Sequence, residues 1–219
     1  MVEIKNIQDN EDLEEAEDLK DESEDAEDEK FFKDTMLELR KMDIKTDMGL
    51  ALIPSEKEFV ESLFYDDDVH CIYIAARILA TFNKEDLMVV ADNFRNYTHM
   101  AQVNLIPVLA TTKFYESYVL LFELLMQKDS KETFDNLIIE ALATTDYFIF
   151  PLLLIYIDKS EDDLVFHSKM KRLVLKIGFE RLSTHLGMFY ELPNEVFFRE
   201  VFGDEDIDNL KKQWNGSLL

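Results

Sequence analysis

Five glycines and four prolines punctuate 219 residues, and that scarcity constrains the fold more than any other feature. A chain of short β-strands turns roughly every ten residues and marks most turns with Gly, Pro or Asn-Gly. This sequence holds too few such residues for that, so it reads as all-α. Apolar residues at helical spacing, separated by short polar breaks, predict about ten helices and no strand. With 47% hydrophobic residues the chain can build a sizeable core without covalent help.

The longest apolar run, Tyr147–Ile157 (YFIFPLLLIYI), predicts a helix apolar on every face and therefore enclosed by its neighbours. Pro151 lies inside it and predicts either a kink or a helix re-entered at that proline. Around this run the expected helices are 31–41, 55–64 opened by a Ser55–Glu58 capping box, Val69–Phe82 behind Asp66–Asp68, and one from Asn83 to near Tyr97. A short segment at Gln102–Leu105 is expected to stop at Pro107. Thr112–Met126 and a helix capped by Asp129–Glu132 follow. Beyond the apolar run a helix is expected over Asp162–Ile177, with a continuation past Gly178 to His185 left open. Pro193 opens a helix ended by Gly203, and Asp204–Trp214 closes the series.

Charge is distributed unevenly. The net charge is −24; residues 1–30 carry 15 Asp and Glu against Lys5, Lys20 and Lys30, a net of −12, and the remaining residues carry the other −12. The first thirty residues bury too little apolar area to offset the entropy of ordering, so they read as a disordered acidic arm, with Ser23 as a candidate phosphorylation acceptor. Residues 31–219 then form a single all-helical domain. So acidic a surface repels phosphate backbones and anionic lipids, which argues against direct nucleic-acid or membrane binding.

The unit of helix, polar break and second helix recurs at Cys71–Ala91, Tyr118–Ala143 and Ile149–Ile177. Over residues 55–185 it resembles HEAT or armadillo repeats in architecture alone, a resemblance that implies no activity. The unequal starts leave two arrangements open, an irregular HEAT/armadillo-like stack and a closed helical bundle.

Recognisable chemistry is sparse. The glycines lie at least nine residues apart, too far for a P-loop or a dinucleotide fingerprint. The four histidines lack the i, i+4 spacing of a helical zinc site. Asp66, Asp67, Asp68, His70 and Cys71 gather metal-ligating types within six residues, but aspartates before a helix are ordinarily caps. Asp204–Asp208 opens like a calcium loop, yet Asn209 and Asn215 replace its required Gly and Glu. Cys71, the lone cysteine, forbids an internal disulfide and reads as a core residue. No metal or cofactor is expected.

Against the acidic background, Lys169, Arg172 and Lys176 fall at i, i+3, i+7 on one helix face, with Lys171 and Arg181 nearby. Such a stripe forms either salt bridges to neighbouring carboxylates or the cationic wall of a groove for an acidic peptide motif. Phe189, Tyr190 and Phe198 belong to adjacent aromatic pairs that cannot all face inward, which predicts a sticky patch toward the C-terminus. These six residues are the candidate partner-binding set. The N-terminal residues lack a secretory pattern and the longest apolar run is too short to span a bilayer, so an intracellular, cytoplasmic or nuclear location is expected. The function expected is a non-enzymatic helical scaffold or adaptor that binds a protein partner through a groove between helices. The alternative is a chaperone for histones or other basic proteins that works through the acidic arm.

Overall fold

A computed structural model of the chain describes residues 29–145, 149–186 and 192–217, without side chains beyond residue 213. The acidic arm up to residue 28, the opening of the apolar run at 146–148, the Phe189 and Tyr190 pair, and the Trp214 side chain lie outside the described residues. Twelve α-helices and no strand are present among those described, and none of the helices is long and apolar enough to cross a membrane. The chain divides into two compact units, residues 1–60 and 61–219.

In the first unit, α1 spans residues 29–47, more than two turns longer than its apolar spacing suggested. Gly49 ends it at φ +73: its amide bonds to the Thr46 carbonyl at 2.8 Å, and Leu50 bonds to Lys45 at 3.0 Å. That pair of bonds satisfies the last carbonyls of a helix that needs a left-handed residue to close. Helix α2 begins at Pro54 and runs to Ser62. Its cap lies two residues earlier than the serine suggested, because the Glu56 carboxylate reaches back to the Ile53 amide at 2.8 Å and Pro54 occupies the first helical position, where its missing amide is no loss.

The second unit repeats one motif. Helices α3 (Val69–Leu79), α5 (His99–Thr111), α7 (Glu132–Thr144), α9 (Leu164–Ile177) and α11 (Glu195–Phe202) begin about 30 residues apart, and each packs on the next. Helices α4 (Lys84–Asn93), α6 (Tyr115–Leu125) and α8 (Phe150–Ser160) pack in the same succession as a second layer. Helices α10 (Phe179–Leu186) and α12 (Asp204–Ser217) pack on α9 and α11. Two parallel layers of alternate helices, joined by short loops, are the arrangement of a helical-repeat stack.

The apolar run is not the enclosed centre that its composition suggested. In α8, Phe150, Leu152, Leu153, Tyr156 and Ile157 are buried, but Ile155 is 46% exposed, because the packing of α8 against α6, α9 and His185 of α10 leaves that side open. Pro151 causes no kink, since it falls in the first turn, where no preceding carbonyl waits for its amide. Pro107, expected to stop a helix, sits inside α5 instead; it points to solvent, and the buried residues Leu105, Ile106 and Leu109 around it hold the helix together. Conversely, Gly178 at φ +89 ends α9 at Ile177 as expected and rules out its continuation to His185, separating α9 from α10.

Side-chain caps open four of the helices. Asp68 accepts from the Cys71 amide, Asn83 from Asp86, Thr98 from Ala101, and Asp163 from both Val165 and Phe166. Each satisfies an amide that the first turn leaves without a partner.

Candidate functional site

The cationic stripe on α9 is used up in holding the stack together. Lys169 is only 6% exposed. Its ammonium donates to the carbonyls of Leu125 at 3.1 Å and Gln127 at 2.6 Å, and to Ser130 Oγ at 2.8 Å. It pairs with Asp135 at 3.0 Å; Asp135 is itself 4% exposed and accepts from the Ser130 hydroxyl at 2.6 Å. A cation is well placed there, because α6 ends at Leu125 with carbonyls that no helical amide reaches. One side chain thus closes α6, fixes the turn after it and pins α7 to α9.

The rest of the stripe continues the same seam. Arg172 donates to Asn136, Lys176 pairs with Glu140 at 3.0 Å, and Arg181 donates to the carbonyls of Ala143 and Thr145 at the end of α7. The partners advance along α7 as the donors advance along α9, so the two helices run parallel and in register. Of the two readings that the spacing allowed, the salt-bridged one describes these side chains. A partner's acidic motif finds Lys169 enclosed, and Arg172 and Lys176 already engaged.

Phe198 is fully buried, which corrects its place in an exposed aromatic patch. It meets Phe197 edge-on, with ring centroids 5.7 Å apart, and stacks over Phe202 at 6.5 Å. Adjacent residues of one helix both face inward here because α11 is covered on two sides, by α9 and by α12.

Two other clusters carry reactive residue types. His167 lies between Ser160, 3.2 Å from Nδ1, and Glu200, 3.3 Å from Nε2. The order serine, histidine, carboxylate is that of a catalytic triad, but the Ser160 side chain is fully enclosed and donates to the Ile157 carbonyl at 2.7 Å. What the trio does is tie α8 and α9 to α11. Lys171, 2.7 Å away, together with His167 holds the Glu200 carboxyl below the usual carboxylate range. Near α3, Asp68 is committed to the Cys71 amide at 2.7 Å and Asp66 to that of Asp67. Burial, with Asp68 beside it, pushes the Cys71 thiol up to about 12, so it stays protonated and unreactive near neutrality.

A surface with an apolar lining open to solvent lies between α4 and α6. A groove of about 390 Å³ runs between them, with Met88, Val119 and Leu120 as its apolar lining and Tyr115 at one end. Met88 is 39% and Tyr115 61% exposed. Ion pairs bridge the two helices at either end, Lys84 with Glu116 at 3.0 Å and Arg95 with Glu123 at 3.7 Å. Its own backbone amide and Lys84 hold the Glu116 carboxyl below the usual range, so it is ionised. Asp92, Glu116 and Glu123 against Arg95 leave the rim acidic.

Sequence reasoning passed over both the groove and the partners of the stripe. Asp135 did leave a signal, since it sits three residues before Ile138 on an otherwise apolar face of α7, and a carboxylate there needs a buried cation. Met88 and Tyr115 left none, because their exposure depends on how α4 and α6 sit. Comparison with protein-family models, with curated proteins and with solved structures returned no match, so any functional reading rests on this geometry.

Proposed function

We propose that the chain is a helical-repeat scaffold that takes a segment of a partner protein in the groove between α4 and α6. The observation that carries this reading is the groove itself: an apolar lining open to solvent, wide enough for several side chains, between helices fixed at both ends by ion pairs. Grooves of this kind receive amphipathic segments through a few apolar anchors. The rim charge and the net charge of −24 favour a partner with lysine or arginine beside those anchors. The acidic motif suggested by the α9 stripe is set aside, because those cations are occupied.

The test is a pair of variants on exposed positions. Met88→Glu with Tyr115→Glu abolishes retention of co-purifying protein while circular dichroism is unchanged, and a photo-crosslinking residue at position 115 captures the same protein. Retention unaffected by both substitutions would refute the groove reading. The charge of −12 on residues 1–30 supports a second reading, a chaperone of basic proteins acting through the arm. Deleting residues 1–30 separates the two: a scaffold keeps its partner, whereas a chaperone loses its histone-like client.

A further inference from the structure

Exposed apolar side chains in residues 61–213 occur singly, as Val196 does, or in twos, as Val69 with Tyr73 and Leu164 with Val165 do, and such small groups are ordinary on a protein surface. Helix α1 differs. Leu37, Ile44 and Met48 are 53%, 60% and 71% exposed. At i, i+7 and i+11 they fall within about 40° of one another around the helix and form a line roughly 17 Å long. Thr35, Leu39 and Met42 on the opposite side are buried. The helix therefore carries two apolar faces where a surface helix needs one.

Charge indicates what covers the second face. Within residues 31–53, Asp34, Glu38, Asp43 and Asp47 are balanced by Lys33, Arg40, Lys41 and Lys45. This is a neutral segment in a chain of net charge −24, so a strongly acidic or basic partner gains little attraction there, while a second copy meets least repulsion. We propose that the protein is a homodimer in which two α1 helices pair antiparallel across Leu37, Ile44 and Met48, with Lys41 near the two-fold axis.

Helical spacing makes this pairing self-complementary. Lys33, Arg40, Asp43 and Asp47 lie along one flank of the exposed line, and in an antiparallel two-fold pair each flank meets its own equivalent. Lys33, which also pairs with Glu29 of its own helix at 2.7 Å, then lies opposite Asp47 of the second copy, and Arg40 opposite Asp43. On the other flank the exposed pair Glu38 and Lys41, 2.5 Å apart within one helix, lies opposite the same pair of the second copy, so that the four charges can exchange partners across the axis. Orientation follows from the arms: residues 1–30 carry −12 each, and antiparallel helices send them out at opposite ends, whereas parallel helices would place them side by side.

The experiment measures the solution mass of the full chain by light scattering and sedimentation at micromolar concentration. The expected mass is twice 25.8 kDa, falling to the monomer value in Leu37→Glu with Ile44→Glu at unchanged helix content, and staying dimeric in Tyr73→Glu. Mild oxidation links Lys41→Cys into a covalent dimer but not Met48→Cys; the native Cys71 is 2% exposed and does not interfere. A monomeric wild type, or a dimer that survives the α1 double variant, overturns the proposal. Efficient linking through position 48 without linking through 41 overturns the antiparallel pairing.

Discussion

Helices α3 and α5 pack together just as α7 and α9 do, one repeat apart, yet the two contacts are built from different chemistry. The buried residues of α3 are Cys71, Ile72, Ala75, Ala76, Ile78 and Leu79, and those of α5 are equally apolar. In α7 and α9 the buried sets include Asp135 and Lys169. The difference shows that a repeat stack needs matched surfaces, not one kind of surface. An apolar contact tolerates small changes of shape, while a buried ion pair fixes register and fails when one half is lost.

The largest effect is expected at the ionic contact. Lys169→Ala leaves Asp135 and the Leu125 and Gln127 carbonyls without their cation and should cost about 3–5 kcal/mol in denaturant unfolding. Adding Asp135→Leu to Lys169→Met should recover most of that loss; if the double variant is no better than Lys169→Met alone, the pair is not the cause. At the apolar contact, Leu105→Ala removes a fully buried side chain and should cost about 2–5 kcal/mol, with Ile72→Val nearer 1 kcal/mol.

Lys176 and Glu140 are 53% and 62% exposed, so Lys176→Ala should cost less than about 1 kcal/mol and should do so only at low salt. A larger loss would mean that the exposed end of the seam matters as much as its buried end.

Acid should act on the α9 and α11 contacts through lowered carboxylates. Lys128 and the Phe166 amide lower Asp163, and Lys171 and His167 lower Glu200. A carboxyl lowered by folding adds stability above its unfolded value, and that stability disappears as pH falls through the folded value. Stability should therefore decline below about pH 4.5, and Glu200→Gln with Asp163→Asn should flatten that decline in melting temperature against pH. The smallest effect is at Cys71. With its thiol raised to about 12, folded protein at pH 8 should resist iodoacetamide and react only once denatured.

Much of the fold was legible in sequence because it depends on local chemistry. Asp68 and Asn83 cap helices as their positions suggested, since a cap is decided within four residues. The stop expected at Pro107 and the kink at Pro151 failed for a related reason, while a helix entered at Pro151 is what α8 shows. Pro107 and Pro151 are disruptive only relative to the helix that contains them, and where those helices begin is set by packing. The roughly 30-residue repeat was hidden because its members share spacing and packing rather than a residue signature.

The candidate site was less legible. Lys169, Arg172 and Lys176 were recognised as sharing a face, but whether that face meets solvent or α7 is not written in α9. Phe198 was placed outside because one helix seen alone has one inner face, while α11 has two.

The sequence by itself determined an all-helical chain with an acidic beginning, because breaker frequency, apolar spacing, capping and charge are properties of neighbouring residues. Tertiary structure alone decided that α8 is half open, that Lys169 is enclosed by Leu125, Gln127, Ser130 and Asp135, and that Met88 and Tyr115 border a groove. Each of those facts depends on which residues some 30 or 40 positions away are brought into contact, and no periodicity within a single helix records that.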